Sequence, residues 1–238
     1  MNLARRIVAE SLGTAMLLAT VVGSGIMAER LANGNVAIAL LANTIATGAA
    51  LVALILTFGK ISGAHFNPAV TISDALLKGI GWRDAGAYVG AQVIGAFVGV
   101  GAANLMFELP VFFASHKARA GAAQWFSEFI ATFGLLSVIW GCSRLHNSVV
   151  VPFAVAAYIT AAYWFTASTS FANPAVTLAR SMSDTFAGIQ PADVFGFIIA
   201  QLLGAISATL LFRWLVPVTV EDAESVMLPH DEEKKDIL

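Results

Sequence analysis

The sequence predicts an all-α membrane protein in which six transmembrane helices and two re-entrant half-helices form an inverted repeat. Three observations carry that prediction. Of the 238 residues, 58% are hydrophobic and only 12% charged, with a mean hydropathy of +0.79. Six apolar stretches are long enough to cross a bilayer. The pentapeptide Asn-Pro-Ala-Val-Thr occurs twice, beginning at Asn67 and at Asn173, each time after two such stretches and before a third. Soluble domains carry about 25% charged residues, so the composition alone places this chain in a membrane.

A bilayer core of about 30 Å takes about 20 mainly apolar helical residues. The stretches that satisfy this are roughly 7–28, 36–58, 85–107, 124–142, 149–165 and 192–216. The first follows Arg5-Arg6, but its apolar part exceeds the 7–15 residues or so of a signal-peptide core, so it reads as a retained span. Six spans put both termini on one side, and Lys and Arg concentrate on the cytoplasmic side. Arg5, Arg6, Lys60, Lys78, Arg83, Arg144, Arg213, Lys234 and Lys235 fall with the termini, whereas Arg30, Lys117, Arg119 and Arg180 fall opposite. Both termini are therefore expected in the cytoplasm, for a bacterial protein at the inner membrane. Residues 1–220 read as one membrane domain (first repeat about 1–115, second about 120–220), and 221–238 as an acidic, solvated cytoplasmic tail.

Other classes are disfavoured. A net charge of −2 with scattered basic residues gives no nucleic-acid surface. Cys142 is the single cysteine, and the four histidines have no metal-ligand spacing, so neither a metal nor another cofactor is expected. There is no Ser/His/Asp set or phosphate loop, and an enzyme is not expected. His116, His146 and His230 read as loop or tail residues. Gly196, Ala200, Gly204 and Ala208, four apart, form a small-residue stripe suited to close helix crossing.

The repeat extends beyond the pentapeptide: "AESLGT" around Glu10 matches "SEFIAT" around Glu128, and "AQVIGA" at Gln92 matches "AQLLGA" at Gln201. Three spans per unit is an odd number, so the second copy enters from the opposite face. In inverted repeats, short interrupted segments at equivalent positions mark the transport site near the midplane. Each segment after the asparagine, 69–77 and 175–183, is about half a bilayer long as a helix. Asparagine is a preferred N-cap, and proline a preferred first helical residue because its missing N–H would have no intrahelical partner. Ala69 and Ala175 are small enough for the two helix starts to press together. Asn67-Pro68 and Asn173-Pro174 would then meet at the centre. Each cap uses its side-chain oxygen on its own helix and keeps its NH2 to donate into the space beside it. The preceding "SGAHF" and "STSFA" must be non-helical backbone whose carbonyls line a path. Two helix N-termini, each worth about half a positive charge, disfavour cations there. Small neutral hydroxylated solutes can cross.

With these residues the chain resembles the aquaporin, or major intrinsic protein, family over essentially its whole length. The resemblance rests on the doubled Asn-Pro-Ala, the "SGAHFNPAVT" context, Glu10 and Glu128, and the paired "AQ..GA". It implies six spans plus two half-helices, one pore per protomer and a homotetramer. It also implies that Glu10 and Glu128 accept from loop N–H groups, against the alternative of a proton path, and that His65 lines the cytoplasmic mouth rather than being merely packed.

The family's constriction takes one residue from the second span, one from the fifth and two flanking the second motif. A gapless count from the asparagines puts Thr47, Ala161, Ser170 and Val176 there. Water-selective members have an aromatic, a His and an Arg in that ring, and glycerol-selective members keep the Arg; this chain has none of the three. Arg180, one turn beyond Val176, could reach back, but at i+4 it is expected on the helix flank. A wide ring without arginine suits water, glycerol-type polyols and hydroxylated metalloids. Members without the Arg resemble bacterial channels associated with arsenic resistance, which pass arsenite as neutral As(OH)3. The alternative from another class is an ion-coupled secondary transporter with broken helices.

Overall fold

The computed structural model describes residues 1–145 and 148–216. The acidic tail 221–238, His146, His230, Lys234 and Lys235 lie outside the described residues. Among the described residues eight α-helices follow one another: α1 Leu3–Leu31, α2 Val36–Ser62, α3 Pro68–Leu76, α4 Trp82–Met106, α5 Ala122–Leu145, α6 Val151–Phe165, α7 Pro174–Arg180 and α8 Val194–Leu215. Short 3-10 turns at Ser148–Val150 and Pro191–Asp193 lead into α6 and α8.

Among the described residues five helices are long and apolar enough to cross a membrane, and α6 is a shorter apolar helix of 15 residues. α1 begins four residues before the expected span and runs three beyond it. Apolarity marks only the hydrocarbon layer, whereas backbone hydrogen bonding carries a helix on through the headgroups. The outer surface is apolar: Leu12, Ile45, Ile94, Phe126, Leu203 and Trp214 are all exposed, as lipid-facing side chains must be. This is a multi-pass membrane protein.

The two halves pack alike. α1 lies on α4, and α5 on α8. At each crossing a glycine lets the backbones touch: a Cβ on Gly95 would stand 2.1 Å from the Ser11 carbonyl oxygen, and one on Gly204 2.3 Å from that of Phe129. These glycines are the equivalent members of the "AQ..GA" pair. Ala200 and Ala208 are buried on the same face of α8, and a Cβ on Gly196 would meet the Trp125 ring, so the stripe is a packing surface.

α3 and α7 are the half-helices. α3 keeps nearly its expected length, but α7 ends at Arg180 rather than at 183. The Ser181 hydroxyl turns back onto the Leu178 carbonyl (2.7 Å) and that of Ser183 onto Asn104 Oδ1 (2.8 Å), so polar side chains compete with helix continuation.

Candidate functional site

The asparagines cap their helices as their sequence positions require. Asn67 Oδ1 accepts from the Ala69 N–H (2.9 Å), and Asn173 Oδ1 from those of Ala175 (3.0 Å) and Val176 (3.2 Å), with Pro68 and Pro174 at the first helical position. The side-chain amides are less free than expected. Asn67 Nδ2 donates to the Ala172 carbonyl (2.8 Å), and Asn173 Nδ2 to that of Phe66 (2.8 Å). Each motif thereby clasps the loop of the other. Since an amide carries two N–H bonds, one of each remains for the space alongside.

Buried acceptors hold the loops in shape. Ala64 and Phe66, three and one residues before Asn67, have φ of 48°; Ser170 and Ala172, equally placed before Asn173, have 50° and 48°. Non-glycine residues rarely occupy this left-handed region, and it persists only where the surroundings impose it. Glu10 Oε1 accepts from the His65 N–H (3.0 Å) and the Ser62 hydroxyl (2.6 Å), and Oε2 from the Phe66 N–H (2.7 Å) and Gln92 Nε2 (2.8 Å). Glu128 takes the Phe171 and Ala172 N–H groups, both at 2.9 Å, and Gln201 Nε2 at 2.6 Å. Gln92 and Gln201 also reach Thr71 and Thr177, the last residues of the two pentapeptides.

A cavity of about 70 Å³ runs past both motifs. That is well above the 10–15 Å³ or so that a single water needs. Asn67, Asn173 and the loop residues Ala64–Phe66 and Ser170–Ala172 give it a polar strip; α1, α2, α5 and α6 give it apolar side chains such as Val21, Leu51, Leu135 and Val155.

Of the four expected ring residues, Thr47, Ser170 and Val176 line this cavity, and the Ser170 hydroxyl has no protein partner among the described residues. Ala161 does not line it and is exposed. From the same helix Ile159 and Tyr163 do line it, and the Tyr163 hydroxyl donates to Thr47 Oγ1 (3.3 Å). A gapless count presumes a fixed loop length. Two residues of error turn a helix by about 200°, which exchanges the pore face for the lipid face.

Arg180 also departs from expectation. It is 2% exposed and lines the cavity instead of the helix flank. Its guanidinium lies 3.4 Å from the Phe171 ring centroid, and its Nε donates to the Ala187 carbonyl. Arg119 rests on the same ring at 4.9 Å and donates to the carbonyls of Gly188 (2.9 Å) and Ser168 (3.0 Å); Lys117 donates to that of Phe186 (2.8 Å). Three cations thus hold three consecutive carbonyls of one loop.

His65 lines the cavity beyond the opposite loop. Its Nδ1 is 3.1 Å from Thr71 Oγ1, and its Nε2 is 3.7 Å from the buried Asp74 carboxylate.

The sequence profile of the family described as Major intrinsic protein matches residues 1–170 and 143–234. The chain belongs to the major intrinsic protein family. This major intrinsic protein is 58% identical over 215 residues to the aquaglyceroporin AqpS of Rhizobium meliloti (strain 1021), across 90% of this chain and 91% of that one. It is 29% identical over 213 residues to aquaporin NIP1-1 of Oryza sativa subsp. japonica, across 88% and 73%. The X-ray structure of the aquaglyceroporin from Plasmodium falciparum aligns with a TM-score of 0.65 at 21% identity, covering 91% of this chain and 98% of that one, a likeness of fold. As a member of this family the protein is a passive membrane channel for small neutral solutes, and it is not an enzyme.

Proposed function

We propose that the channel passes glycerol-sized polyols, water and neutral As(OH)3. In this reading Asn67 and Asn173 are the central donors, Thr47, Tyr163, Ser170 and Val176 form the ring that sets solute size, His65 lines the cytoplasmic mouth, and Glu10 and Glu128 anchor the loops. Residues 1–220 make up the channel domain. It works as a homotetramer in a bacterial inner membrane, with both termini in the cytoplasm.

The reciprocal clasp carries the reading. Each asparagine spends one N–H on the opposite loop and keeps one for the cavity, so a passing hydroxyl meets two fixed donors beside loop carbonyls. A polyol has a hydroxyl edge and a C–H edge, and the cavity offers a polar strip together with apolar side chains. The relative named an aquaglyceroporin supports glycerol as a substrate. Valine at 176 leaves that ring position small and uncharged, which favours solutes wider than water.

The test is solute flux into proteoliposomes, with and without sodium or proton gradients. Glycerol, water and arsenite should each equilibrate faster than through protein-free vesicles and stop at equal concentrations inside and out. Accumulation driven by an ion gradient would overturn the channel reading, and flux of water alone would overturn the substrate assignment.

A further inference from the structure

We infer that Arg180, from one turn farther out on α7, supplies the positive charge and donor fork that the ring lacks at Val176, and so determines which solutes pass. The inference rests on the proposed passage of water and glycerol-sized solutes.

Backbone direction explains how. In a helix each Cα–Cβ bond tilts toward the N-terminus, so a long side chain covers surface over the preceding turn. α7 has its N-terminus at the clasped centre, so the Arg180 side chain leans back along the pore toward the level of Val176. Both residues line the same cavity, and the guanidinium sits on Phe171, two residues before Asn173. The small Val176 leaves the room that this reach requires; a larger residue there would compete for it.

The guanidinium is also under-satisfied. Of its five N–H bonds, only Nε–H has an acceptor among the described residues, and no carboxylate pairs with it there. A buried cation is tolerated only where something solvates it, and the aromatic face of Phe171 does so incompletely. The remaining donors require water or solute in the cavity. A fixed positive charge at the narrow section of a pore excludes protons and other cations, and a planar fork narrows the opening.

The first repeat offers a control from within the molecule. Asp74 and Arg180 each lie seven residues after their asparagine, and His65 and Phe171 each lie two before it. In both repeats the seventh residue meets the second: His65 Nε2 lies 3.7 Å from Asp74, and Arg180 lies 3.4 Å from the Phe171 centroid. Position seven therefore turns toward the loop residue two before the asparagine in both half-helices, so that course is a property of the repeat, and on α7 the longer Arg180 reaches the cavity.

Arg180→Gln removes the charge but keeps an amide donor for the Ala187 carbonyl. Reconstituted in phosphatidylcholine vesicles and normalised to folded protein, it should raise proton and sodium leak about tenfold or more, and the glycerol-to-water permeability ratio about threefold. Adding Val176→Arg to Arg180→Gln should close the leak again. A folded Arg180→Gln with wild-type leak and ratio would overturn the inference. Should Arg180→Gln not be recovered folded, Arg180→Lys decides: it keeps the charge and loses the fork, so the leak should stay closed while the ratio moves, and an unchanged ratio would overturn the inference. Wild-type flux measured in parallel keeps the readings separate, because wild-type vesicles that pass neither water nor glycerol count against the channel's substrates and not against Arg180.

Discussion

The centre of the channel and its two mouths are built by opposite rules. At the centre the repeats share one bonding plan: Asn67 and Asn173 cap and clasp, Glu10 and Glu128 take the loop amides, and Gln92 and Gln201 reach the last threonine of each pentapeptide. Toward the mouths the same positions diverge. One half carries His65 on Asp74 and Tyr88 on the Ser62 carbonyl; the other carries Phe171 under Arg180 and Arg119 on the Ser168 carbonyl. The centre must hold two half-helix N-termini together in a low-dielectric layer, and few arrangements satisfy every donor there. The mouths face different compartments, so the repeat leaves their chemistry free to differ.

The largest effects should come from breaking what the halves share. Glu10→Gln and Glu128→Gln are near-isosteric, yet each turns a carboxylate oxygen into an NH2 aimed at donors. With about 1–3 kcal/mol per orphaned buried donor, each variant should lose about 3 kcal/mol or more. Glu10, with four donors to the three of Glu128, should lose more. Thermal unfolding in detergent checks both, and wild-type stability in either would mean that the loops do not depend on these acceptors. Gly95→Val and Gly204→Val test the crossings: a side chain must push apart a pair of backbones that now touch, costing about 1–3 kcal/mol or more, similarly in both halves.

An intermediate effect is expected at the clasp. Asn67→Asp and Asn173→Asp keep the cap but replace the amide that donates to the opposite carbonyl with an oxygen, and place a potential anion where two helix dipoles point. Each variant should open a cation leak about tenfold above wild type. Wild-type leak and flux in both folded variants would reduce the doubled motif to packing.

The same contrast explains what can be read from the sequence. Caps, half-helices and the small-residue stripe of α8 come from local rules, the doubled motif sets their register within each half, and the loop acceptors Glu10 and Glu128 are legible only through the family resemblance. Gln92 and Gln201 are visible as a repeated pair, although their bonds to the threonines need the fold. The ring is less legible because its members come from segments separated by loops of unequal length. Counting twelve residues back from Asn173 picks Ala161, which the fold leaves exposed, while Ile159 and Tyr163 on either side of it line the cavity, because which face of α6 turns inward is set by its packing. Spacing alone puts Arg180 on the flank because it ignores the backward lean of a long side chain. The three-cation loop strap has no sequence signal, since Lys117 and Arg119 meet the 186–188 carbonyls only through tertiary structure.

The smallest expected effect belongs to Lys117, at the cationic mouth and outside the spans. Burial, reinforced by the charges of Arg119 and Arg180, pulls its ammonium from the usual lysine value of 10.5 down to about 8. The sign follows from proton counts. Below about pH 8 both folded and unfolded chains hold the proton, and the folded state bears the full penalty of a half-buried, like-charge-flanked cation. Between about 8 and 10.5 the folded chain has released the proton while the unfolded chain keeps it, so the unfolded state binds more protons and stability rises with pH. Above that window the contribution is flat. Lys117→Met deletes the titration while keeping an apolar stem against Phe186. The melting temperature of wild type minus that of Lys117→Met, followed in detergent across this window, should therefore climb as pH increases. A difference that stays level or falls would show that Lys117 keeps its proton at the mouth, held there by the Phe186 carbonyl and ring more strongly than burial and its two arginine neighbours oppose it.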